Sequence, residues 1–136
     1  VALIGMGKMG RALQALAAER GAPVVATLDH GDAITPASLG GADVAIEFTE
    51  PAAAVANVRA CLAAGVPIVV GTTGWYEQLA VVGREVAAAG GKLLWASNYS
   101  IGVNAFRAIV AAAGRVLRDA GFDAHLVETH HAAKKD

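Results

Sequence analysis

Gly5-x-Gly7-x-x-Gly10 follows the apolar run Val1–Ile4 directly and opens an Ala/Leu-rich stretch. A strand that must turn at once into a helix, with three glycines at this spacing, predicts the first β-α-β unit of a dinucleotide-binding sheet. Gly5 permits the tight turn, Gly7 lets backbone approach a pyrophosphate, and Gly10 lets the helix pack closely on the strand. The helix N-terminus then offers free N–H groups and partial positive charge to the phosphates. The alternative is a strand–helix turn that uses glycine only for geometry. The strand before it and the helix after it favour the nucleotide.

The rest of the chain repeats the alternation. Lys8–Arg20 reads as a helix with Leu13, Leu16 and Ala17 on one face, stopped by Gly21. Val24–Leu28 reads as a second strand ending at Asp29. From His30 to Gly41 the chain is polar and broken by Gly and Pro, so at most one helical turn is expected near Pro36–Leu39. Asp43–Phe48 is the third strand, and Thr49-Glu50-Pro51 starts a helix over roughly Ala52–Ala64 that stops at Gly65. Pro67–Val70, Tyr76–Ala89 and Lys92–Ala96 read as strand, helix and strand. Strands separated by helices imply right-handed crossovers and a parallel sheet. The fold class is therefore α/β, a doubly wound, Rossmann-type parallel sheet. After the polar loop Ser97–Ser100 come a long helical pattern, Ile101–Ala120, and a sixth strand over Phe122–Glu128. The expected domains are 1–100, binding dinucleotide, and 101–136, the beginning of an α+β substrate domain.

Bulk properties narrow the function classes. With 136 residues, 55% hydrophobic and 17% charged, the chain has a real core and is not expected to be disordered. A net charge of −1 argues against nonspecific nucleic-acid binding, which needs excess Lys and Arg. The single cysteine, Cys61, has no partner within the chain and reads as a buried small hydrophobe. No apolar run has the length of a membrane span and no basic-then-apolar leader opens the chain, so a cytoplasmic protein is expected. The chain starts inside a strand and stops in the middle of a motif, which predicts a segment of a longer protein.

Candidate site residues gather at strand ends. Asp29 lies 19 residues past Gly10, where a carboxylate accepts hydrogen bonds from the ribose hydroxyls of NADH and repels a 2′-phosphate. A turn-forming Asp before Gly31 is the plainer reading. Lys8, Arg11 and His30 partly offset the repulsion, so NADH is the favoured cofactor and NADPH stays open. Gly71-Thr72-Thr73-Gly74 follows the fourth strand, where backbone groups and threonine hydroxyls can meet a carboxamide or a substrate carboxylate. A simple turn explains the motif as well. Phe48 and Thr49 end the third strand, with Phe48 either packing on the cofactor or serving the core. His130, His131 and Lys134 follow the last expected strand. An imidazole is suited to protonating the intermediate left by hydride addition, and an ammonium stabilises developing negative charge. A metal site is not expected, because adjacent side chains on extended backbone diverge and no further His or Cys cluster supplies ligands. A solvated polar segment is the plain alternative.

These residues in this order resemble the 4-hydroxy-tetrahydrodipicolinate (dihydrodipicolinate) reductase family of lysine biosynthesis. The likeness covers Gly5–Gly10 with Met9, Glu47-Phe48-Thr49, Gly71-Thr-Thr-Gly74, Asn98-Tyr99-Ser100 with Gly102-Val-Asn104, and Glu128-x-His130-His131-x-x-Lys134-x-Asp136. The last pattern is the most specific. The resemblance implies NAD(P)H-dependent reduction of a cyclic dicarboxylate, with His130 and Lys134 as proton-donor candidates. His131 and Thr73 would hold substrate. Gly5, Met6, Gly7, Lys8, Met9, Gly10, Asp29, Phe48, Thr49, Gly71, Thr72, Thr73, Ala96, Asn98 and Tyr99 would line the cofactor. It also implies a homotetramer assembled through the second domain, while the charge and the short apolar runs lead to no expected nucleic-acid or membrane partner.

The chain departs from the family pattern in a glycine loop one residue shorter than in many members, with Lys8 where an arginine often stands. Glu47 and Tyr99 replace the commoner Asp and Phe. The family's next segment, Ala-Pro-Ser-Gly-Thr, binds substrate and would follow Asp136, so this piece alone is expected to turn substrate over poorly. Other readings are another two-domain amino-acid dehydrogenase, acting on aspartate or diaminopimelate, and a non-catalytic NAD-binding module.

Overall fold

The computed structural model describes residues 1–125, 127 and 129. It divides into two compact units, Val1–Ser97 and a second that begins at Asn98. In the first unit, five short strands form one parallel sheet: β1 (Ala2–Ile4), β2 (Ala26–Leu28), β3 (Ala45–Glu47), β4 (Ile68–Val70) and β5 (Leu93–Trp95). Their order in space is β2-β1-β3-β4-β5. The order reverses between β1 and β3, which is the point where open α/β sheets bind ligands beyond the carboxyl ends of their strands.

Three helices connect the strands: α1 (Lys8–Glu19), α2 (Pro51–Ala63) and α3 (Leu79–Ala88). Right-handed crossovers running in opposite directions from the switch point put α1 on one face of the sheet and α2 and α3 on the other. The doubly wound expectation holds. α2 begins with Pro51 at its first position, where the missing N–H costs nothing, and closes through Val66 N donating to Cys61 O at 2.9 Å. Arg59 on α2 and Glu85 on α3 join the helices through two hydrogen bonds of 2.8 Å each. The bond to Arg59 lowers the Glu85 carboxyl pKa, and the same pair raises that of the guanidinium.

Between β2 and β3 no helix forms, as the Gly and Pro content of that stretch predicts. Leu39 N bonds Thr35 O at 3.0 Å in a single turn, braced by Ser38 Oγ accepting from Thr35 N at 2.9 Å. That turn drives Leu39 fully into the core.

Side chains alternate along each strand, so register decides what each face carries. Ala2, Ile4, Ala45, Ile68 and Val70 share the face under α2 and α3, packing with Val55, Val58, Cys61, Val82 and Val86. Leu3, Ile46, Val69 and Leu94 form the opposite row. Leu3 is buried and Ile46 and Val69 are half-buried, while Leu94 at the far edge is 58% exposed. α1 covers this face less completely than its periodicity implies: Gly10 is its one buried residue and Leu16 is exposed.

One boundary and one element differ from expectation. Tyr76–Gln78 is a tight 3-10 turn ahead of α3, because Trp75 is buried with its Nε1 bonded to Thr72 O at 2.9 Å, which pins the chain as it leaves the loop. In the second unit, α4 (Ile101–Asp119) is capped by Ser100 Oγ accepting from Val103 N at 3.4 Å, and Gly121 follows it. The sixth strand expected at Phe122–Glu128 is not seen over residues 122–125, while Leu126 and Glu128 lie outside the described residues. A strand is stabilised by its ladder, and the described residues of this unit supply no partner strand. Among the described residues no helix is long and apolar enough to cross a membrane.

Candidate functional site

The carboxyl ends of β1, β3 and β4 are neighbours, and the three loops leaving them touch. The chain turns sharply at Gly5, with φ +93°, and its amide donates to Leu28 O at 2.8 Å. A Cβ on Gly5 would fall 2.1 Å from Phe48 O, so the first loop lies against the exit of β3. A Cβ on Gly10 would fall 2.0 Å from Gly5 O, which is the close strand–helix packing expected of it.

Gly7 differs from both. It caps α1 with φ −72° and no side-chain hydrogen bond, and a Cβ there would meet nothing within 4 Å. Neither backbone conformation nor packing within the protein demands glycine at this position. Its bare backbone leaves the first-turn amides of α1 open, with the helix dipole behind them, which suits an anion. Met6 and Lys8 flank Gly7, and exposed Met9 follows in the first turn of α1.

Asp29 stands beyond β2, on the other side of β1. Its Oδ1 accepts from Met6 N at 3.4 Å, and its own amide donates to Asp32 Oδ2 at 2.8 Å. The carboxylate and the glycine loop are thus brought together across 23 residues of chain. Arg11 Nε donates to Met6 O at 3.0 Å, committing that guanidinium to bracing the loop.

The Gly71–Gly74 loop packs on β3. A Cβ on Gly71 would fall 2.1 Å from Phe48 Cε1, so the Phe48 ring occupies the space that glycine leaves. Thr72 is buried, and its Oγ1 accepts from Thr49 N at 2.8 Å. That bond ties the exits of β3 and β4 together and uses hydroxyl capacity that the sequence reading assigned to a ligand. Thr73 is half-buried beside it. Trp75, Tyr76 and Trp95 cluster next to this loop, with the Tyr76 and Trp95 rings 5.1 Å apart. Ala96 continues β5, its amide donating to Val70 O at 3.3 Å.

Asn98 and Tyr99 belong to the second unit. Asn98 Oδ1 accepts from Ser100 N at 2.8 Å, and Asn98 O accepts from Asn104 Nδ2 at 3.0 Å, so this asparagine shapes the entry to α4. His130, His131 and Lys134 lie outside the described residues.

Sequence reasoning placed Glu47 in a motif without giving it a role, and missed Asn57. Glu47 is 0% exposed, yet its Oε1 accepts from Thr49 Oγ1 and, at 3.3 Å, from Asn57 Nδ2. An acid between Ile46 and Phe48 in a buried parallel strand was the available signal. Cys61 sits close enough that burial first, and the Glu47 charge second, push its thiol up to about 11. Trp75, which anchors the Gly71–Gly74 loop, carried no signal beyond its size.

Comparison with known proteins agrees with this geometry. A family model described as dihydrodipicolinate reductase, N-terminus, matches residues 1–99. A 4-hydroxy-tetrahydrodipicolinate reductase of Thiobacillus denitrificans is 37% identical, covering 100% of this chain and 59% of its own. One from Chromobacterium violaceum is 41% identical over 74% of this chain and 37% of its own. A third, from Christiangramia forsetii, is 34% identical over 100% of this chain and 57% of its own. The chain therefore spans less than two thirds of the length of these relatives. The sheet order, the glycine loop and these matches agree that the chain belongs to the dihydrodipicolinate reductase family.

Proposed function

We propose that the chain is the nucleotide-binding part, with the beginning of the substrate part, of an NAD(P)H-dependent 4-hydroxy-tetrahydrodipicolinate reductase of lysine and diaminopimelate biosynthesis. Residues 1–100 bind the cofactor and residues 101–136 open the substrate domain. The observation that carries this reading is Gly7: its missing side chain serves no packing need inside the protein, and it faces open space at the switch point of the sheet. The names of the relatives supply the substrate.

NADH or NADPH, when bound, supplies the hydride. The protein's own groups divide the remaining work. The open amides at the start of α1 hold the pyrophosphate, with Met6, Lys8 and Met9 around it. Asp29 accepts the ribose hydroxyls and favours NADH. Phe48, Thr49, Gly71, Thr72 and Thr73 form the wall at the exits of β3 and β4, and Ala96, Asn98 and Tyr99 complete the cofactor's surroundings. His131 and Thr73 hold the cyclic dicarboxylate. His130 and Lys134 supply the proton that balances hydride addition, and the substrate hydroxyl leaves as water. In this reading the complete protein is a cytoplasmic homotetramer.

The test uses the full-length protein and follows NADH oxidation on adding 4-hydroxy-tetrahydrodipicolinate. His130→Ala and Lys134→Ala are each expected to lower kcat by about 100-fold or more, as loss of a proton donor does. Turnover unchanged in both variants would reject the catalytic assignment and leave a nucleotide-binding protein.

A further inference from the structure

Glu47 lies in an otherwise apolar row, paired in register between Ile4 and Val70 on the face covered by α2. It is completely buried, and its Oε2 has no hydrogen-bond partner. An apolar residue would meet the packing needs of that place without the cost of an unsatisfied buried oxygen. What the carboxylate adds is direction. Its Oε1 accepts the Thr49 hydroxyl proton and one from Asn57 Nδ2, which also reaches Thr49 Oγ1 at 3.2 Å. Thr49 in turn donates its amide to Thr72 Oγ1 at 2.8 Å. Its neighbour Phe48 abuts both Gly5 and Gly71. One buried acid thus fixes the segment that the two glycine loops rest on.

We propose that Glu47 is a positioning residue for nucleotide binding: acting through Thr49, and without touching the ligand, it holds the exit of β3 in the conformation that the site requires. The proposal rests on the nucleotide-binding reading of this edge. The binding geometry depends on the acceptor oxygen of Glu47, whereas the stability of the core does not.

The experiment measures NADH affinity of the full-length protein by quenching of tryptophan fluorescence, alongside the thermal unfolding midpoint. Glu47→Leu is expected to weaken NADH by roughly tenfold, the scale of a lost ordering hydrogen bond, with a midpoint at or above that of the unmodified chain. Glu47→Gln keeps an acceptor for Thr49 and is expected to recover most of that loss. Asn57→Ala, on a half-buried helix position, is expected to weaken NADH by about threefold.

Affinity within twofold of the unmodified chain in Glu47→Leu at an unchanged midpoint overturns the proposal. So does a Glu47→Gln variant as weak as Glu47→Leu, or an affinity loss that tracks a falling midpoint across the set. Should Glu47→Leu fail to fold, unchanged affinity in Asn57→Ala overturns the proposal and the threefold loss supports it. No binding of NADH or NADPH by the unmodified chain would overturn the nucleotide reading itself, and this assignment with it.

Discussion

The Phe48 ring fills the space beside Gly71 so completely that a Cβ on that glycine would lie 2.1 Å from Cε1 and 2.2 Å from Cζ. Ring and glycine stand just past the ends of the adjacent strands β3 and β4, so a change at one is felt at the other. Gly71→Ala is expected to destabilise the first unit by about 1–3 kcal/mol through overpacking. Gly71→Ala combined with Phe48→Leu should recover part of that loss, a non-additivity that urea unfolding of the two single variants and the double variant will reveal. Additive effects would mean that the ring moves aside freely.

The glycines of the first loop separate folding from binding. Gly5→Ala places a methyl group against the Phe48 carbonyl in a backbone with φ +93°, and is expected to cost more than about 2 kcal/mol of stability. Gly7→Ala meets no protein atom and should stay within about 1 kcal/mol of the unmodified chain. It should nevertheless weaken NADH binding by about tenfold or more, since the methyl group would enter the open space that the proposed function assigns to the pyrophosphate. Thermal melts paired with NADH titrations distinguish the two. A Gly7→Ala variant that binds normally would remove the main support for the nucleotide reading.

Asp29 is held by the glycine loop through Met6 N, and the proposed function assigns it to the ribose, so its replacement is expected to act on cofactor choice more than on the core. Asp29→Ala is expected to move the NADH-to-NADPH affinity ratio about tenfold toward NADPH, on the scale of a lost charge-assisted hydrogen bond. A ratio that does not move rejects the assignment of Asp29 to the ribose.

Cys61 carries a pH signature. Its thiol is raised from an ordinary 9.0 to about 11 by burial and then by Glu47. The unfolded chain therefore ionises first as pH rises. The stabilisation is complete below about pH 9 and is lost between there and about pH 11, amounting to about 2–3 kcal/mol. Unfolding free energy measured from pH 8 to 11 should fall more steeply for the unmodified chain than for Cys61→Ala. Parallel curves would show that the thiol ionises equally in both states.

Local signals carried most of the architecture. The apolar runs, Pro51 and the glycine stops located five strands and four helices, and the Gly/Pro-broken stretch after His30 gave the missing crossover helix. What they did not carry was partnership. Phe48 and Gly71 stand 23 residues apart in sequence, and only the β3–β4 register brings them together. Thr72 read as a ligand group because nothing local reveals that the Thr49 amide reaches it. Glu47 read as part of a motif rather than as a buried acceptor, since its bonds run to Asn57 on α2 and Thr49 beyond the strand. Alternation over Phe122–Glu128 describes a surface suited to a strand and says nothing about whether another strand lies alongside. For the His130–Lys134 segment the residue types alone carry the chemistry.

β2 is bordered by β1 alone, and Asp29 stands at its tip, whereas the loops around Gly5, Phe48 and Gly71 grow from strands flanked on both sides. Under the proposed function, the carboxylate assigned to the ribose sits on the perimeter and the loops assigned to the rest of the cofactor in the interior. Swapping the residues at that rim would then ask little of the rest of the domain, so a preference between the two nicotinamide cofactors could be rewritten there while the centre of the sheet is kept.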